Sequence, residues 1–255
     1  MKDFKTLSPI EQRAFPGAMA SYGEQPEIIN SDSLWMMTEE GDWIAGVFAP
    51  GQADNEFCII HFYGSNETLR SSVATIEALR SLGPSVVCFD YRGYGASGGR
   101  PNEKQFYADA EFIFDWLKEH HPKLRAVVSG RSLGTAVATH LATERPIEGL
   151  IMLTPPTNMV DVVRNIFGPN EIIIEDALPF QFDNLYRIAG IKCPIFISHG
   201  LQDEVISYRM SRVLEFEANA PVTYYEVPGA KHNNLFAVAG ATLWDKMEEF
   251  LQELT

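Results

Sequence analysis

The pentapeptide Gly130-Arg-Ser-Leu-Gly134 is the sequence feature that most constrains this chain. A β-branched run at 125–129 precedes it and predicts a buried strand, and a run of small and apolar residues at 135–142 follows and predicts a helix. Ser132 would then lie on a tight strand-to-helix turn. Glycines are expected on both sides because side chains there would collide with neighbouring backbone. The helix would direct its first N–H groups and the positive end of its dipole toward Ser132, which suits a nucleophile.

Two residues further along the chain supply the other groups that nucleophilic catalysis needs. Asp203 follows an apolar run at 194–198, and His232 follows Pro228-Gly-Ala-Lys231. A serine hydroxyl needs a base such as a histidine to take its proton, and a carboxylate fixes the imidazole tautomer. The order serine, acid, histidine differs from the chymotrypsin and subtilisin orders. We therefore interpret Ser132 as a nucleophile rather than a helix N-cap, and His232 as its base rather than a surface-loop histidine.

Buried-strand patterns alternate with helical patterns along most of the chain, and this alternation predicts the fold class. Strands are predicted near 33–38, 42–48, 57–62, 85–90, 125–129, 149–154, 194–198 and 221–227. Helices are predicted at 67–82, 102–119, 135–142, 206–220 and 235–254. Apolar runs without strict alternation are typical of a sheet covered on both faces, and right-handed crossovers make such a sheet parallel. We expect an α/β fold with a doubly wound, mostly parallel sheet of about eight strands.

The remaining segments predict the domain organisation. Residues 1–30 have little periodicity and predict a loosely structured arm, followed by a single domain at 31–255. An irregular insert at 155–191, with a helix near 158–166, interrupts the alternation. Ligands bind beyond the carboxyl ends of the strands in open α/β sheets, so this insert can form a lid, although it could also be a structural connection. Apolar residues at helical spacing predict the face that the lid helix turns to the site: Met159, Val160, Val163, Ile166 and Phe167.

Composition narrows the range of partners. The net charge of −14 argues against nucleic acid or an anionic membrane surface as a partner. No apolar run approaches the ~20 residues that cross a bilayer, and no signal peptide is recognisable, so we expect no stable membrane insertion and a cytoplasmic location. Three cysteines at apolar positions, Cys58, Cys88 and Cys193, fit buried thiols in a reducing compartment. The six histidines show no ligand spacing, so neither a metal nor another cofactor is expected.

Four segments resemble the α/β-hydrolase superfamily of serine hydrolases. They are His61-Phe-Tyr-Gly-Ser-Asn66, Asp90-Tyr-Arg-Gly-Tyr-Gly-Ala-Ser97, the pentapeptide around Ser132, and 193–203 together with His232-Asn233. Within the superfamily, the chain is similar to small single-domain hydrolases of the bud-emergence and depalmitoylating types, near the prolyl-oligopeptidase clan. The stretch 156–162 also resembles the start of the short lid of these proteins. The resemblance covers about 40–254 and implies the fold and the catalytic class.

The resemblance also implies roles for individual residues. It implies a catalytic triad of Ser132, Asp203 and His232, and the family spacing from His199-Gly200 selects Asp203 over the adjacent Glu204. The backbone N–H of Leu133 would be one donor of the oxyanion hole.

The second oxyanion donor is the point at which this chain departs from its relatives. They carry His-Gly-X where this chain has His61-Phe62-Tyr63. Alignment implies that the second donor is the backbone N–H of Tyr63. Two alternatives are that the Tyr63 phenol donates instead, or that its ring lines an acyl pocket.

These observations predict a serine hydrolase of the carboxylesterase or thioesterase kind. The substrate would be a small acyl compound with a chain of roughly two to eight carbons, because a short insert can cover only a small cleft. Phe62, Met159 and Val163 would contact this substrate, which would form an acyl-enzyme on Ser132. Alternatives are a peptidase or aminopeptidase of the related clan, or a non-catalytic binding protein that keeps the fold.

Overall fold

The computed structural model describes residues 7–20, 26–168 and 178–254. The chain divides into two compact units, Met1–Ala126 and Val127–Thr255, and contains a mostly parallel eight-stranded sheet. The strands are β1 (Asp32–Met37), β2 (Trp43–Ala49), β3 (Phe57–Phe62), β4 (Ser85–Phe89), β5 (Arg125–Arg131), β6 (Gly149–Leu153), β7 (Ile195–Gly200) and β8 (Val222–Val227). The helices are α1 (Pro9–Ala14), α2 (Val73–Ser81), α3 (Glu103–His120), α4 (Gly134–Glu144), α5 (Met159–Phe167), α6 (Asn184–Ile188), α7 (Tyr208–Glu217), α8 (Leu235–Ala239) and α9 (Ala241–Glu253), with a 3-10 helix at Pro16–Met19.

The first unit contains the strand order β1-β2-β4-β3. The first two strands form an antiparallel hairpin, β2 pairs antiparallel with β4, and β3 pairs parallel with β4. Every residue of β3 and β4 is buried, as their unbroken apolar runs predict. Helix α3 begins at Glu103, one residue after its predicted start, and is capped by Asn102, whose side chain accepts a hydrogen bond from the N–H of Gln105 at 2.9 Å.

The second unit contains the strand order β5-β6-β7-β8, and its strand pairs are all parallel. Parallel strands end at the same edge of a sheet, and three of these strands lead into the predicted catalytic residues. Ser132 follows β5 directly, Asp203 lies three residues beyond β7, and His232 lies in the loop after β8. The sheet therefore places all three residues along one edge of this unit.

Helix α2 begins later than its periodicity predicts. The helical pattern begins at residue 67, whereas the helix begins at Val73. Side chains in the intervening segment bond to nearby backbone instead: the N–H of Thr68 donates to Oγ of Ser71 at 2.9 Å, and Oγ of Ser72 donates to the carbonyl of Thr68 at 2.9 Å. Serine and threonine compete with helical hydrogen bonds in this way, which delays the helix.

The closing helix is two helices rather than the continuous one that we predicted for 235–254. Helices α8 and α9 meet at Gly240, which has φ of 58° and ψ of −142°. This conformation is open mainly to glycine and interrupts the helical path. An added Cβ would meet no atom within 4 Å, so the backbone conformation and not crowding explains the break.

The amino-terminal segment contains more structure than its sequence suggests. Helix α1 and the 3-10 helix lie within the predicted arm, and Phe15 between them is only 1% exposed, with its ring 5.7 Å from that of Phe106. The expected division into an arm and one domain stays a prediction. Part of the predicted lid, 169–177, lies outside the described residues. No helix in the described ranges is both long and apolar enough to span a bilayer.

Candidate active site

The turn between β5 and α4 holds Ser132 in an unusual conformation. Ser132 has φ of 52°, and its N–H donates to the carbonyl of Leu153 at the end of β6 at 2.9 Å. A residue other than glycine in this region typically costs about 1–3 kcal/mol and persists only where surrounding contacts impose it. A Cβ on Gly130 would lie 2.5 Å from the carbonyl oxygen of Gly134. The glycine requirement predicted at Gly130 thus has a steric cause in the close return of the backbone.

The first turn of α4 orients the peptide group that follows Ser132. The N–H and the hydroxyl of Thr135 both donate to the carbonyl of Ser132, at 3.0 Å and 2.6 Å. A trans peptide directs its C=O and N–H in opposite directions, and the described residues contain no cis peptide. Because the carbonyl points into the helix, the N–H of Leu133 points away from it, beyond the amino-terminal end. An N–H group there is suited to bind an oxyanion.

Asp203 and His232 form a direct hydrogen bond. Nδ1 of His232 lies 2.8 Å from Oδ2 of Asp203, whose side chain is fully buried. The other oxygen, Oδ1, accepts from the N–H groups of Val205 and Ile206 at 2.9 Å and 2.8 Å. Glu204 is exposed. The carboxylate that contacts the imidazole is therefore Asp203 and not its neighbour.

The environment of Asp203 keeps its carboxyl ionised. Burial raises the pKa of this group, but hydrogen bonds from His199, His232 and the N–H of Ile206, with the charge of His232, outweigh burial and hold the pKa well below its ordinary value of 3.8. A carboxylate only accepts hydrogen bonds, so Nδ1 of His232 must be the donor. In neutral His232 the lone pair is then on Nε2, the atom that a general base uses.

Arg131 connects the serine turn to the histidine loop. Its Nη2 donates to the backbone carbonyl of His232 at 3.1 Å, and the guanidinium is buried. Because Arg131 immediately precedes Ser132, this bond holds the backbone of His232 close to the turn.

Helix α5, in the predicted lid, also lies against the site. Its first turn is capped by Asn158, which accepts from the N–H of Asp161 at 2.8 Å. Near its other end, Nδ2 of Asn165 donates to the carbonyl of Val205 at 2.9 Å, beside Asp203. The insert therefore contacts the loop that carries the acid.

The apolar face predicted for this helix is partly wrong. Val160 and Val162 are buried, Met159 and Val163 are half-buried, and Ile166 and Phe167 are 49% and 59% exposed. Periodicity identifies residues that share a face, but which of them is covered depends on the neighbouring segments, and Val162 was missed for this reason. The proposed substrate contacts of Met159 and Val163 stay predictions.

Tyr63 lies in the first unit, and its phenol is already occupied. The ring is fully buried, the hydroxyl lies 3.1 Å from Oδ1 of Asp90, and it accepts from the N–H of Tyr91 at 3.1 Å. A hydroxyl can donate only one hydrogen bond, and here the hydroxyl of Tyr63 donates it to Asp90. This arrangement disfavours the phenol as an oxyanion donor. Phe62 is 1% exposed and packs edge-on against Phe89 with ring centroids 5.7 Å apart, which favours a packing role over contact with substrate.

Two residues at this site were not assigned a role from the sequence. His199, which served only to fix the spacing of Asp203, places Nε2 at 3.3 Å from Oδ2 of that residue. Asn184, in the insert, donates through Nδ2 to Oγ1 of Thr135 and to the carbonyl of Pro156, both at 2.9 Å. The four-residue separation of His199 and Asp203 was a usable signal, whereas no local pattern distinguishes Asn184.

Comparisons with known proteins agree with this fold. Residues 52–171 match the family described as Hydrolase_4, serine aminopeptidase, S33. An uncharacterised protein of Mycobacterium tuberculosis is 31% identical over 223 residues, which cover 85% of this chain and 77% of that protein. The lysophosphatidylserine lipase ABHD12 of Mus musculus is 30% identical over 203 residues, which cover 71% of this chain and 50% of that protein.

A solved structure shows the same fold. The esterase Pf2001 of Pyrococcus furiosus superimposes with a TM-score of 0.73 at 22% identity, over 88% of this chain and 90% of that one. The predicted fold class is confirmed, and the predicted similarity to the superfamily is confirmed at that level, while the closer likeness to the depalmitoylating type stays a prediction. On these sequence matches and this fold, the chain belongs to the α/β-hydrolase superfamily.

Proposed function

We propose that this protein is a serine hydrolase that cleaves a carboxylic ester or thioester of short to medium acyl chain through an acyl-enzyme on Ser132. The observation that carries the proposal is the 2.8 Å hydrogen bond between Asp203 and His232 at the sheet edge where Ser132 occupies its strained turn. Neither feature is needed for a stable α/β sheet, and together they provide an acid, a base and a nucleophile.

The reaction follows from the protonation states of these groups. Oγ of Ser132 attacks the substrate carbonyl carbon while Nε2 of His232 takes the hydroxyl proton. The imidazolium that forms is stabilised by ionised Asp203 and returns the proton to the leaving alcohol or thiol as the carbon–oxygen or carbon–sulfur bond breaks. A water molecule, deprotonated by Nε2 of His232, then attacks the acyl carbon. The imidazolium returns this proton to Oγ of Ser132 as the bond between Oγ and the acyl carbon breaks and the acid is released.

The oxyanion of each tetrahedral intermediate would be bound by two backbone N–H groups. The orientation of the Leu133 N–H beyond the end of α4 supports it as the first donor. The engagement of the Tyr63 phenol with Asp90 supports the backbone N–H of Tyr63, rather than the hydroxyl, as the second. Each donor of this kind is worth about 3–4 kcal/mol in the transition state.

The relatives and the insert support an acyl substrate. One relative is named a lysophosphatidylserine lipase and one structural neighbour an esterase, and both names describe the cleavage of esters. Helix α5 has only nine residues, which favours a small pocket beside Val205. Each buried methylene adds about 0.8 kcal/mol until such a pocket is filled.

The test is a rate series on p-nitrophenyl esters from acetyl to palmitoyl, with Ser132→Ala as the control. We expect kcat/KM to rise with chain length within the range of roughly two to eight carbons and to level off beyond it. The variant should show only background rates. A continuous rise through palmitate would instead indicate a lipase. Equal background rates for parent and variant on every ester would contradict the proposal.

A peptidase is the second candidate, because the matching family is described as serine aminopeptidase. The same triad can cleave an amide, since His232 can protonate a leaving amine. Aminoacyl anilides included beside the esters distinguish the two. Turnover of anilides above that of every ester, lost in Ser132→Ala, would favour the peptidase.

A further inference from the structure

His199 is a buried histidine that the proposed reaction does not use. It lies on β7 next to Gly200, pairs in register with Glu226 of β8, and has no exposed surface. Four residues separate it from Asp203, which follows the same strand. A buried histidine on an interior strand is often only a packing residue, so the contacts of His199 must show whether it has a further role.

The contacts of His199 define its tautomer. Its Nε2 lies 2.9 Å from the carbonyl oxygen of Ile206 and 3.3 Å from Oδ2 of Asp203. Both partners are acceptors, so Nε2 must carry a hydrogen. The buried Nδ1 has no hydrogen-bond partner in the described part of the chain. A hydrogen on Nδ1 would be buried without an acceptor in the described part of the chain, so the contacts assign the ring hydrogen to Nε2.

The same two contacts complete the surroundings of the Asp203 carboxylate. Oδ1 accepts from the N–H groups of Val205 and Ile206, Oδ2 accepts from Nδ1 of His232, and Nε2 of His199 lies 3.3 Å from Oδ2. A carboxylate has about four lone-pair directions. Three accept these hydrogen bonds, and the Nε2–H of His199, which also faces the carbonyl of Ile206, faces the fourth. With a donor on every side, the carboxylate plane cannot rotate without breaking a buried hydrogen bond.

We propose that His199 is a positioning residue that holds Asp203, through its Nε2–H and its bond to Ile206, in the orientation that directs Oδ2 to His232. The inference rests on the proposed function, because it gives Asp203 the task of orienting the catalytic base. His199 does not touch substrate in this account. It acts on the rate only through the geometry of the Asp203–His232 pair.

Two substitutions separate positioning from packing. Gln places an amide nitrogen close to the position of Nε2, whereas Asn places it close to Nδ1, where no described acceptor lies. Glutamine and asparagine carry the same amide group, and both side chains are smaller than the buried imidazole that they replace. We expect His199→Gln to keep kcat within about threefold of the parent and His199→Asn to lose about 10- to 100-fold in kcat at unchanged KM, because small misplacements of a catalytic group cost this much.

Two spectroscopic measurements complete the test. Nitrogen NMR of the parent protein should show His199 protonated at Nε2 and bare at Nδ1. The Nδ1 proton of His232 should give a strongly downfield signal in the parent and in His199→Gln, and this signal should move or disappear in His199→Asn. Thermal unfolding of each variant shows whether it is folded.

The outcomes are separable from those for the proposed function. Protonation of His199 at Nδ1, or equal losses of kcat and of the His232 signal in the Gln and Asn variants, would overturn the positioning role. If the parent hydrolyses no ester or anilide, the proposed function fails, and the tautomer and the His232 signal still decide whether His199 holds Asp203. If neither variant folds, the tautomer in the parent protein decides alone.

Discussion

At the scale of single residues, the adjacent carboxylates Asp203 and Glu204, in the loop after β7, differ in burial and in hydrogen bonding. The Asp203 side chain is buried and accepts hydrogen bonds from His232, Val205 and Ile206, and Nε2 of His199 lies 3.3 Å from its Oδ2. Glu204, one residue later, is exposed. The pair is therefore a matched test of which carboxylate serves the base.

We expect Asp203→Asn to abolish most of the activity and Glu204→Gln to change kcat by no more than a few-fold. An asparagine can donate to the imidazole and favours the wrong tautomer, and the equivalent change costs about 10⁴-fold in a serine protease. Ester hydrolysis by the two purified variants measures this difference. Equal losses of activity, or a larger loss in Glu204→Gln, would contradict the assignment of Asp203 as the carboxylate that orients His232.

The Tyr63 hydroxyl provides a second residue-scale prediction. Tyr63→Phe should leave kcat within a few-fold while lowering the free energy of unfolding by about 1–3 kcal/mol, because the buried N–H of Tyr91 loses its acceptor. Tyr94→Phe is the control, since it removes another buried tyrosine hydroxyl, which bonds to the carbonyl of Ser65. A loss of about 100-fold in kcat for Tyr63→Phe alone, with the fold intact, would assign the phenol to the oxyanion hole.

At the scale of elements, the sequence predicted which segments are helices and strands better than where they end. The starts of α3 and α5 were predicted to within one residue, because an asparagine stands where each helical pattern begins. The late start of α2 and the break at Gly240 were not predicted, because side-chain bonds to backbone and a positive φ do not alter hydrophobic periodicity. The covered face of α5 was also missed, since it depends on segments distant in the chain.

The strand-to-helix turn yields an element-scale prediction. Gly130→Ala should reduce both stability and activity, because its Cβ would lie 2.5 Å from the backbone of Gly134 and Thr135, which cannot move without displacing α4 and Ser132. Overpacking of this kind costs about 1–3 kcal/mol or more. Gly190→Ala, whose nearest neighbour is at 3.2 Å, is the milder control. Thermal unfolding and ester turnover of both variants are the measurements, and equal behaviour would contradict the steric account of the turn.

At the scale of the whole molecule, the alternation of buried strands and helices was enough to predict an α/β fold with a mostly parallel sheet of about eight strands, while the resemblance of four segments implied the α/β-hydrolase superfamily. The order of Ser132, Asp203 and His232 along the chain predicted the candidate triad, because parallel strands bring their carboxyl ends to one edge. His199 and Asn184 could not be assigned in this way, since their roles come from single hydrogen bonds made in the folded protein. The acyl-chain length that we propose could not be read from any motif, because it depends on which side chains surround the substrate in the folded protein.

Labelling with a fluorophosphonate probe tests the central claim most directly, because the probe reacts only with a serine that a base has activated. We predict that intact protein is labelled at Ser132 alone, as mapped by peptide mass spectrometry, and that Ser132→Ala and His232→Ala both lose the label while remaining folded. Labelling of the folded parent at another serine, or unchanged labelling of Ser132→Ala, would contradict the account.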